Sequence, residues 1–265
     1  MTYLRLNRNS NYPKLIAIAL LSFSISIVSC NKDDDEVTPT TPVVPTPPPP
    51  PKNPVIEFAN GNGTLSAVKT RSFKKVPLFG FIPVDLGVAV AVFYDDPTSG
   101  VFVDAGTVTC ESGGIAEELT KQSNNSYAYT PGLNNTTGID FSFGDVVWNV
   151  SGAGTVPPST YSNYNYFPEV GMVTSETTVK KNKDYTLVVD NVSNSDSVLF
   201  MIGGIFHTAP KATSAYTFTA AELGTLKAGI NFVQVAAYNW ISDNSTGKTY
   251  YYVNETVVTQ EVTIE

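Results

Sequence analysis

Histidine is almost missing from this chain: His207 is the one histidine in 265 residues, and cysteine occurs only twice, at Cys30 and Cys110. A zinc site needs several nitrogen or sulfur ligands, and a hydrolytic triad needs a histidine beside its nucleophile, so both chemistries start poorly supplied. Two cysteines also give no disulfide framework. Basic residues are scarce, 16 Lys and Arg against 24 Asp and Glu, for a net charge of -8. An acidic surface repels phosphate backbones, so nucleic acid is not an expected partner. No glycine-rich phosphate loop is present; Gly61-Asn62-Gly63 and Gly203-Gly204 read as turn or bulge glycines. The paired acids Asp95-Asp96 and Glu117-Glu118 are sequence neighbours. On a strand such neighbours face opposite sides, which makes neither an acid/base pair. Neither Asp95–Gly100 nor Asp243–Gly247 has the ligand density of an EF-hand loop, and the first reads as a polar turn. No cofactor and no metal is expected, and the chain reads as not an enzyme.

What the chain does contain begins at its N-terminus. Arg5, Arg8 and Lys14 precede Leu15-Ile-Ala-Ile-Ala-Leu-Leu-Ser-Phe-Ser-Ile-Ser-Ile-Val28, an uncharged run of 14 residues. A stable bilayer span needs about 20, whereas a basic start followed by a run of this length reads as a secretory signal peptide over residues 1–29. Removing its three bases leaves 13 against 24 acids, near -11.

Ile27-Val28-Ser29-Cys30 closes the run. It resembles the lipobox of bacterial lipoproteins, and the resemblance implies lipidation of Cys30 and an outer-membrane anchor through its acyl chains. Several chains on one residue is what stable anchoring takes. Next come Asn31, Lys32, Asp33, Asp34, Asp35 and Glu36. This stretch resembles the lipoprotein export tag of Bacteroidota, which implies display on the outer face of the outer membrane. The alternative is a charged spacer that keeps the tether off the headgroups. With Cys30 lipidated, Cys110 is left alone; its alternating context, Thr-Val-Thr-Cys-Glu, predicts a small buried side chain.

Residues 30–54 form an acidic and then proline-rich tether. Nine of the 17 residues from Thr38 to Pro54 are proline, which removes ladder donors and favours extended polyproline II, reaching roughly 50 Å at about 3.1 Å per residue.

From Val55 the pattern is short alternating runs between Gly, Asn, Asp and Pro clusters, the mark of an all-β chain of sandwich type. Expected strands include Val55–Ala59, Thr64–Thr70, Val84–Tyr94, Ile139–Phe143, Tyr185–Asp190, Ser197–Ile202, Asn231–Tyr238, Lys248–Val253 and Thr256–Ile264. A short helix is expected over Ile115–Lys121 and one turn over Ala220–Leu223. The segment 153–168, rich in proline and without alternation, reads as a connector between a first β-sandwich module at 55–152 and a second at 169–265. Leu226-Lys-Ala-Gly229-Ile-Asn231 and the alternating run to Asn239 resemble the turn and strand of bacterial immunoglobulin-like modules. That resemblance implies two immunoglobulin-like sandwiches, with Val233, Val235 and Ala237 facing inward.

Aromatic clusters are the binding candidates: Tyr161, Tyr164 and Tyr166 in the connector, and Tyr250, Tyr251 and Tyr252 in a late strand. Exposed rings stack on sugars; the competing reading is that the connector tyrosines pack the modules together. Asp196-Ser197-Val198 resembles the O-glycosylation site of Bacteroidota, which makes Ser197 a candidate for modification, or a plain turn residue. Lys69, Arg71, Lys74 and Lys75, and Lys180, Lys181 and Lys183, read as guards of strand edges or as contacts to an anionic glycan. His207 is expected at a strand end or turn. Together these features predict a lipid-anchored, cell-surface, non-catalytic binding module for a glycan, a surface polymer or an envelope protein. The alternative is a structural accessory subunit of an outer-membrane uptake or secretion complex.

Overall fold

A computed structural model describes residues 61–76, 78 and 80–265. The signal peptide, Cys30, the export tag Lys32–Glu36, the tether and the expected strand Val55–Ala59 lie outside them. The described chain is all-β, in several sheets that enclose two buried cores.

Two long hairpins form the spine. β1 (Gly63–Val76) and β2 (Gly80–Phe93) are each 14 residues long. The strands β3 (Val108–Ser112), β4 (Ile115–Glu118), β5 (Thr120–Lys121), β6 (Tyr127–Tyr129), β7 (Val146–Val150) and β8 (Ser159–Asn163) follow. Short strands come next: β9 (Glu169–Val170), β10 (Thr178–Val179), β11 (Tyr185–Val188), β12 (Val192–Ser193), β13 (Ser197–Ile202), β14 (Ile205–Pro210) and β15 (Ala215–Phe218). One helical turn, α1 (Ala220–Leu223), precedes the second long hairpin, β16 (Gly229–Asp243) and β17 (Tyr250–Ile264). In the large sheet the order is β14-β13-β16-β17-β1-β2-β6-β5, with β10 added to β17. β1 runs parallel to β17, from Gly63 opposite Tyr250 to Arg71 opposite Val258.

One face of this sheet backs both cores. Toward its Gly63 end, Leu65, Ala67, Ala89, Ala91, Phe93, Tyr250 and Tyr252 pack against Val108, Cys110, Val146, Trp148 and Val150 of the four-stranded sheet β4-β3-β7-β8. Toward the other end, Val198, Phe200, Val233, Val235, Ala237, Val258, Val262 and Ile264 pack against Val170, Leu187, Val192 and Phe218 of two small two-stranded sheets. The inward side of β17 explains how one strand serves both. Every second residue reads Tyr250, Tyr252, Asn254, Thr256, Val258, Gln260, Val262, Ile264, two apolar stretches split by a polar waist. Asn254 and Thr256 are fully buried there.

Several expectations change. Lys248–Val253 and Thr256–Ile264 are one strand, because the ladder with β16 continues through Asn254 and Glu255. Ile115–Lys121 is not a helix: Gly113 and Gly114 turn the chain at positive φ, and β4 pairs back onto β3. Strand pairing here overrides the local helix preference of Ala-Glu-Glu-Leu. Ile139–Phe143 is a 3-10 turn over Phe141–Phe143 with Asp140 at its start. The segment 153–168 contains β8, which pairs with β7. Lys69 and Arg71 sit on β1, flanked by β17 and β2 in mid-sheet, so they guard no edge. The expected turn at Ala220–Leu223 is present, closed by a capping box between Thr219 and Glu222.

Candidate functional site

The tyrosine candidates separate by strand alternation. Tyr250 and Tyr252 point into the first core and are closed to solvent. Tyr250 meets Phe93 edge to face at 5.9 Å, and burial pushes its phenol up to about 12. Tyr252 stacks on Tyr161 at 4.0 Å with 13° between the rings, and burial raises its phenol as well. These two are core residues, and Tyr161 is half-buried against them. Tyr251 points to the other face, with Trp240 edge-on at 6.1 Å. Tyr164 and Tyr166 remain, both 75% exposed.

Phe143, also largely exposed, joins them. The Phe141–Phe143 turn begins at Asp140, whose carboxylate accepts from the Ser142 amide at 2.9 Å. Phe141 goes inward and stacks on Phe167 at 4.9 Å, and Phe143 goes outward over the backbone of Gly113. A Cβ at Gly113 would stand 2.4 Å from the Phe143 ring, so glycine is required there for the ring to lie down. Gly144 lies beside the Tyr166 ring, which is 3.7 Å from where a Cβ would be, an ordinary van der Waals distance. Tyr166 and Phe167 repeat the division: Phe167 is buried, with the Lys69 ammonium 4.8 Å from its ring centre, and Tyr166 stands out.

The backbone carrying Tyr164 and Tyr166 is held from beneath by buried asparagines. Asn239 Nδ2 donates to the carbonyls of Tyr166 at 2.6 Å and Asn194 at 2.9 Å. Asn254 Nδ2 donates to the Asn165 carbonyl at 2.7 Å, and Asn163 Nδ2 donates to Asn254 Oδ1 at 3.2 Å. The Asn165 amide donates to Asn163 Oδ1 at 3.0 Å. Buried amides that satisfy carbonyls in this way fix the segment Asn163–Phe167, so its exposed rings are carried on a rigid mount. The arrangement offers exposed apolar ring faces, a surface that stacks on flat, hydroxylated ligands.

Other candidates resolve as follows. Ser197 opens β13 opposite Pro210 and Tyr238 and is half-buried. It lies in a ladder, not a free turn. His207 lies in the middle of β14, not at a strand end or turn: the two-residue Gly203-Gly204 turn, both at positive φ, starts a hairpin strand the sequence pattern had not marked. Its Nε2 lies 2.7 Å from Glu222 Oε1, and its ring stacks on Tyr216 at 4.4 Å. Thr219 amide and hydroxyl hold the Glu222 carboxylate, which lowers its pKa. The pair ties β14 to α1. Cys110 is buried opposite Trp148, and burial pushes its thiol up. Asp96 accepts from the Thr98 amide at 2.8 Å and its hydroxyl at 2.7 Å, a turn as expected. Among the described residues no group of three or more His, Cys, Asp or Glu is placed to hold a metal ion.

No protein-family profile and no curated protein matches the chain. Among solved structures, one match is a chain from work on how a 1.5-MDa bacterial ice-binding adhesin is retained at the host cell surface. It is 16% identical over 67% of this chain and 57% of that one, with a TM-score of 0.25. The aligned part therefore spans little more than half of that chain.

Proposed function

We propose that the chain is a lipid-anchored, non-catalytic binding module that presents Phe143, Tyr164 and Tyr166 to the sugars of a glycan or surface polymer. The observation that carries the reading is a set of three exposed rings, two of which, Tyr164 and Tyr166, stand on a backbone pinned by buried asparagines. Rings held in place lose little freedom on binding, so more of the stacking energy appears as affinity. The acidic surface suits neutral sugars better than anionic polymers. Lipidation of Cys30 and outward export by Lys32–Glu36 are supported by the sequence pattern and place the module where such polymers occur.

The test screens neutral and anionic polysaccharides by affinity electrophoresis with the natural chain and with Phe143→Ala, Tyr164→Ala and Tyr166→Ala. A ligand whose retardation drops about tenfold or more in each variant bears the reading out. Retardation equal in all four chains moves the site elsewhere. The anchor is tested separately. Labelled palmitate should be incorporated by the natural chain and not by Cys30→Ser, and protease should shave the chain from intact cells unless Lys32–Glu36 are replaced by alanine.

A further inference from the structure

The large sheet ends in two unlike edges. β5 has two residues, one of them Lys121, which is paired with Asp104. β14 has six, Ile205-Phe-His-Thr-Ala-Pro210, without a Lys, Arg, Asp or Glu. Among the described residues nothing pairs with its outer side. The lack of charge extends inward from this edge. Neither residues 197–210 nor residues 229–242, which hold β13, β14 and β16 up to its last position, contain a Lys, Arg, Asp or Glu. The carboxylate of Glu222 reaches β14 through His207 and is held by the Thr219 amide and hydroxyl as well. Native edges are commonly guarded by charge, and this one is not.

The β13–β14 hairpin decides which backbone groups are open. Its two-residue turn closes on Ile202 opposite Ile205, and Phe200 opposite His207 and Val198 opposite Ala209 follow at every second position. These are the hydrogen-bonded pairs, because the closing pair of such a turn exchanges both bonds and the pattern then alternates. The amides and carbonyls of Phe206 and Thr208 therefore point to the open side, and no donor or acceptor among the described residues meets them. Their side chains lie on the sheet face turned away from the second core. Both are exposed, beside half-buried Met201 and Leu199 across the ladder.

We propose that β14 is a self-pairing edge: two copies of the chain join β14 to β14, antiparallel about a two-fold axis at His207, with Phe206 opposite the partner's Thr208. This register pairs the open groups of Phe206 and Thr208 entirely with one another. A ladder centred on Thr208 would set Phe206 opposite Pro210, which has no amide to give and whose carbonyl already accepts from the Thr213 amide and hydroxyl. Two observations favour a second copy over a foreign strand. The edge is self-complementary, since each copy gives the bonds that it takes, and the pairing uses up the edge on both copies and closes at two. Charge points the same way. Copies of a chain with net charge -8 repel wherever their acids meet, and β13 and β14 present none. On the outer face the join sets each Phe206 ring against the partner's Thr208 methyl, a cross-strand pair of the kind that stabilises sheets. Six residues a side bury less than the roughly 800 Å² that each partner gives a stable interface, so the dimer is a weak one.

Both cores draw their members from residues 65–264, so a chain of residues 31–265, which has no acylated cysteine, keeps both cores and serves as the probe. Sedimentation equilibrium up to about 1 mM protein covers the range of a weak dimer. The expected result is a monomer–dimer equilibrium. Its dissociation constant should rise about tenfold or more with Phe206→Lys, which places a charge on each side of the join, and with Thr208→Pro, which removes an amide donor. Circular dichroism should stay that of the natural chain in both variants, since neither open group serves the β13–β14 ladder. Register is read by oxidation. A mixture of Phe206→Cys and Thr208→Cys chains should crosslink about tenfold faster than either variant alone, because Cα atoms about 5.5 Å apart in a hydrogen-bonded pair suit a disulfide. A chain that stays monomeric throughout overturns the proposal. So does a dimer that Phe206→Lys leaves intact, or a mixture that crosslinks no faster than the single variants, since either places the contact elsewhere. A monomer that instead takes up an extended peptide along β14 would give the edge to a foreign strand and overturns it as well.

Discussion

Asp104 shows how a single exposed loop carboxylate can be committed to the fold. It pairs with Lys121 at 2.7 Å and accepts from the Gly106 amide at 2.9 Å and from the Tyr127 hydroxyl at 2.8 Å. The Lys121 hydrogen bond first, then the other two, hold its carboxyl well below the usual range. A depressed folded-state pKa contributes stability that is complete above the unfolded value, about 4, and is lost as pH falls below it. The urea midpoint should therefore drop between about pH 4 and pH 2, and the drop should be shallower in Asp104→Asn. Parallel curves for the two chains would assign the acid sensitivity to other groups. Asn239 is the second such residue. Asn239→Ala removes two partly buried hydrogen bonds, to the carbonyls of Tyr166 and Asn194, and should cost about 1–3 kcal/mol in urea unfolding. Asn239→Asp should cost more, because a carboxylate cannot donate to either carbonyl. An aspartate variant as stable as the natural chain would mean that the mount beneath Tyr166 is held by something else.

Elements are decided where backbones cross. Gly87 on β2 lies against the 137–139 segment, giving its amide to Thr137 and its carbonyl to Ile139. A Cβ at Gly87 would stand 1.8 Å from the Ile139 carbonyl oxygen. Gly87→Ala must push that segment outward and should lower stability by about 1–3 kcal/mol, read by thermal unfolding; a neutral alanine would show that the 137–139 segment yields freely. The same crossing explains why Ile139–Phe143 is no strand despite its alternating pattern. Ile139 is already bridged to β2, Asp140 turns the chain, and the alternation then serves a tight turn with Phe141 inward and Phe143 outward. Periodicity alone does not distinguish these cases. The Gly203-Gly204 pair, by contrast, carried a legible hairpin signal, and reading it as a two-residue turn would have placed His207 on β14.

At the scale of the molecule the long hairpins matter most. β17 places side chains in both halves, β1 adds Leu65 and Ala67 to the first core and Phe73 beside the second, and the waist of Asn254, Thr256, Asn239 and Lys69 lies between the cores on β17, β16 and β1. The two cores should melt as one. Calorimetry should show a single transition whose van't Hoff and calorimetric enthalpies agree. A chain of residues 169–265 alone should not fold, since it would expose Tyr250, Tyr252 and the β17 edge that β1 covers. Two resolved transitions, or a folded fragment, would show that the halves are independent.

Alternation, turn residues and the scarcity of helix signals determined by themselves that this is an all-β chain, because side-chain period and turn chemistry are local properties. The burial of Cys110, the inward set Val233, Val235 and Ala237, and the turn at Ala220–Leu223 were legible for the same reason. Only the tertiary structure decided that Tyr250 and Tyr252 are core while Tyr164 and Tyr166 are surface, that Phe143 belongs with the latter pair, and that one strand serves two cores. Which face of a strand meets a partner sheet depends on pairing between segments more than a hundred residues apart, such as Gly63 with Tyr250, and no local pattern carries that information.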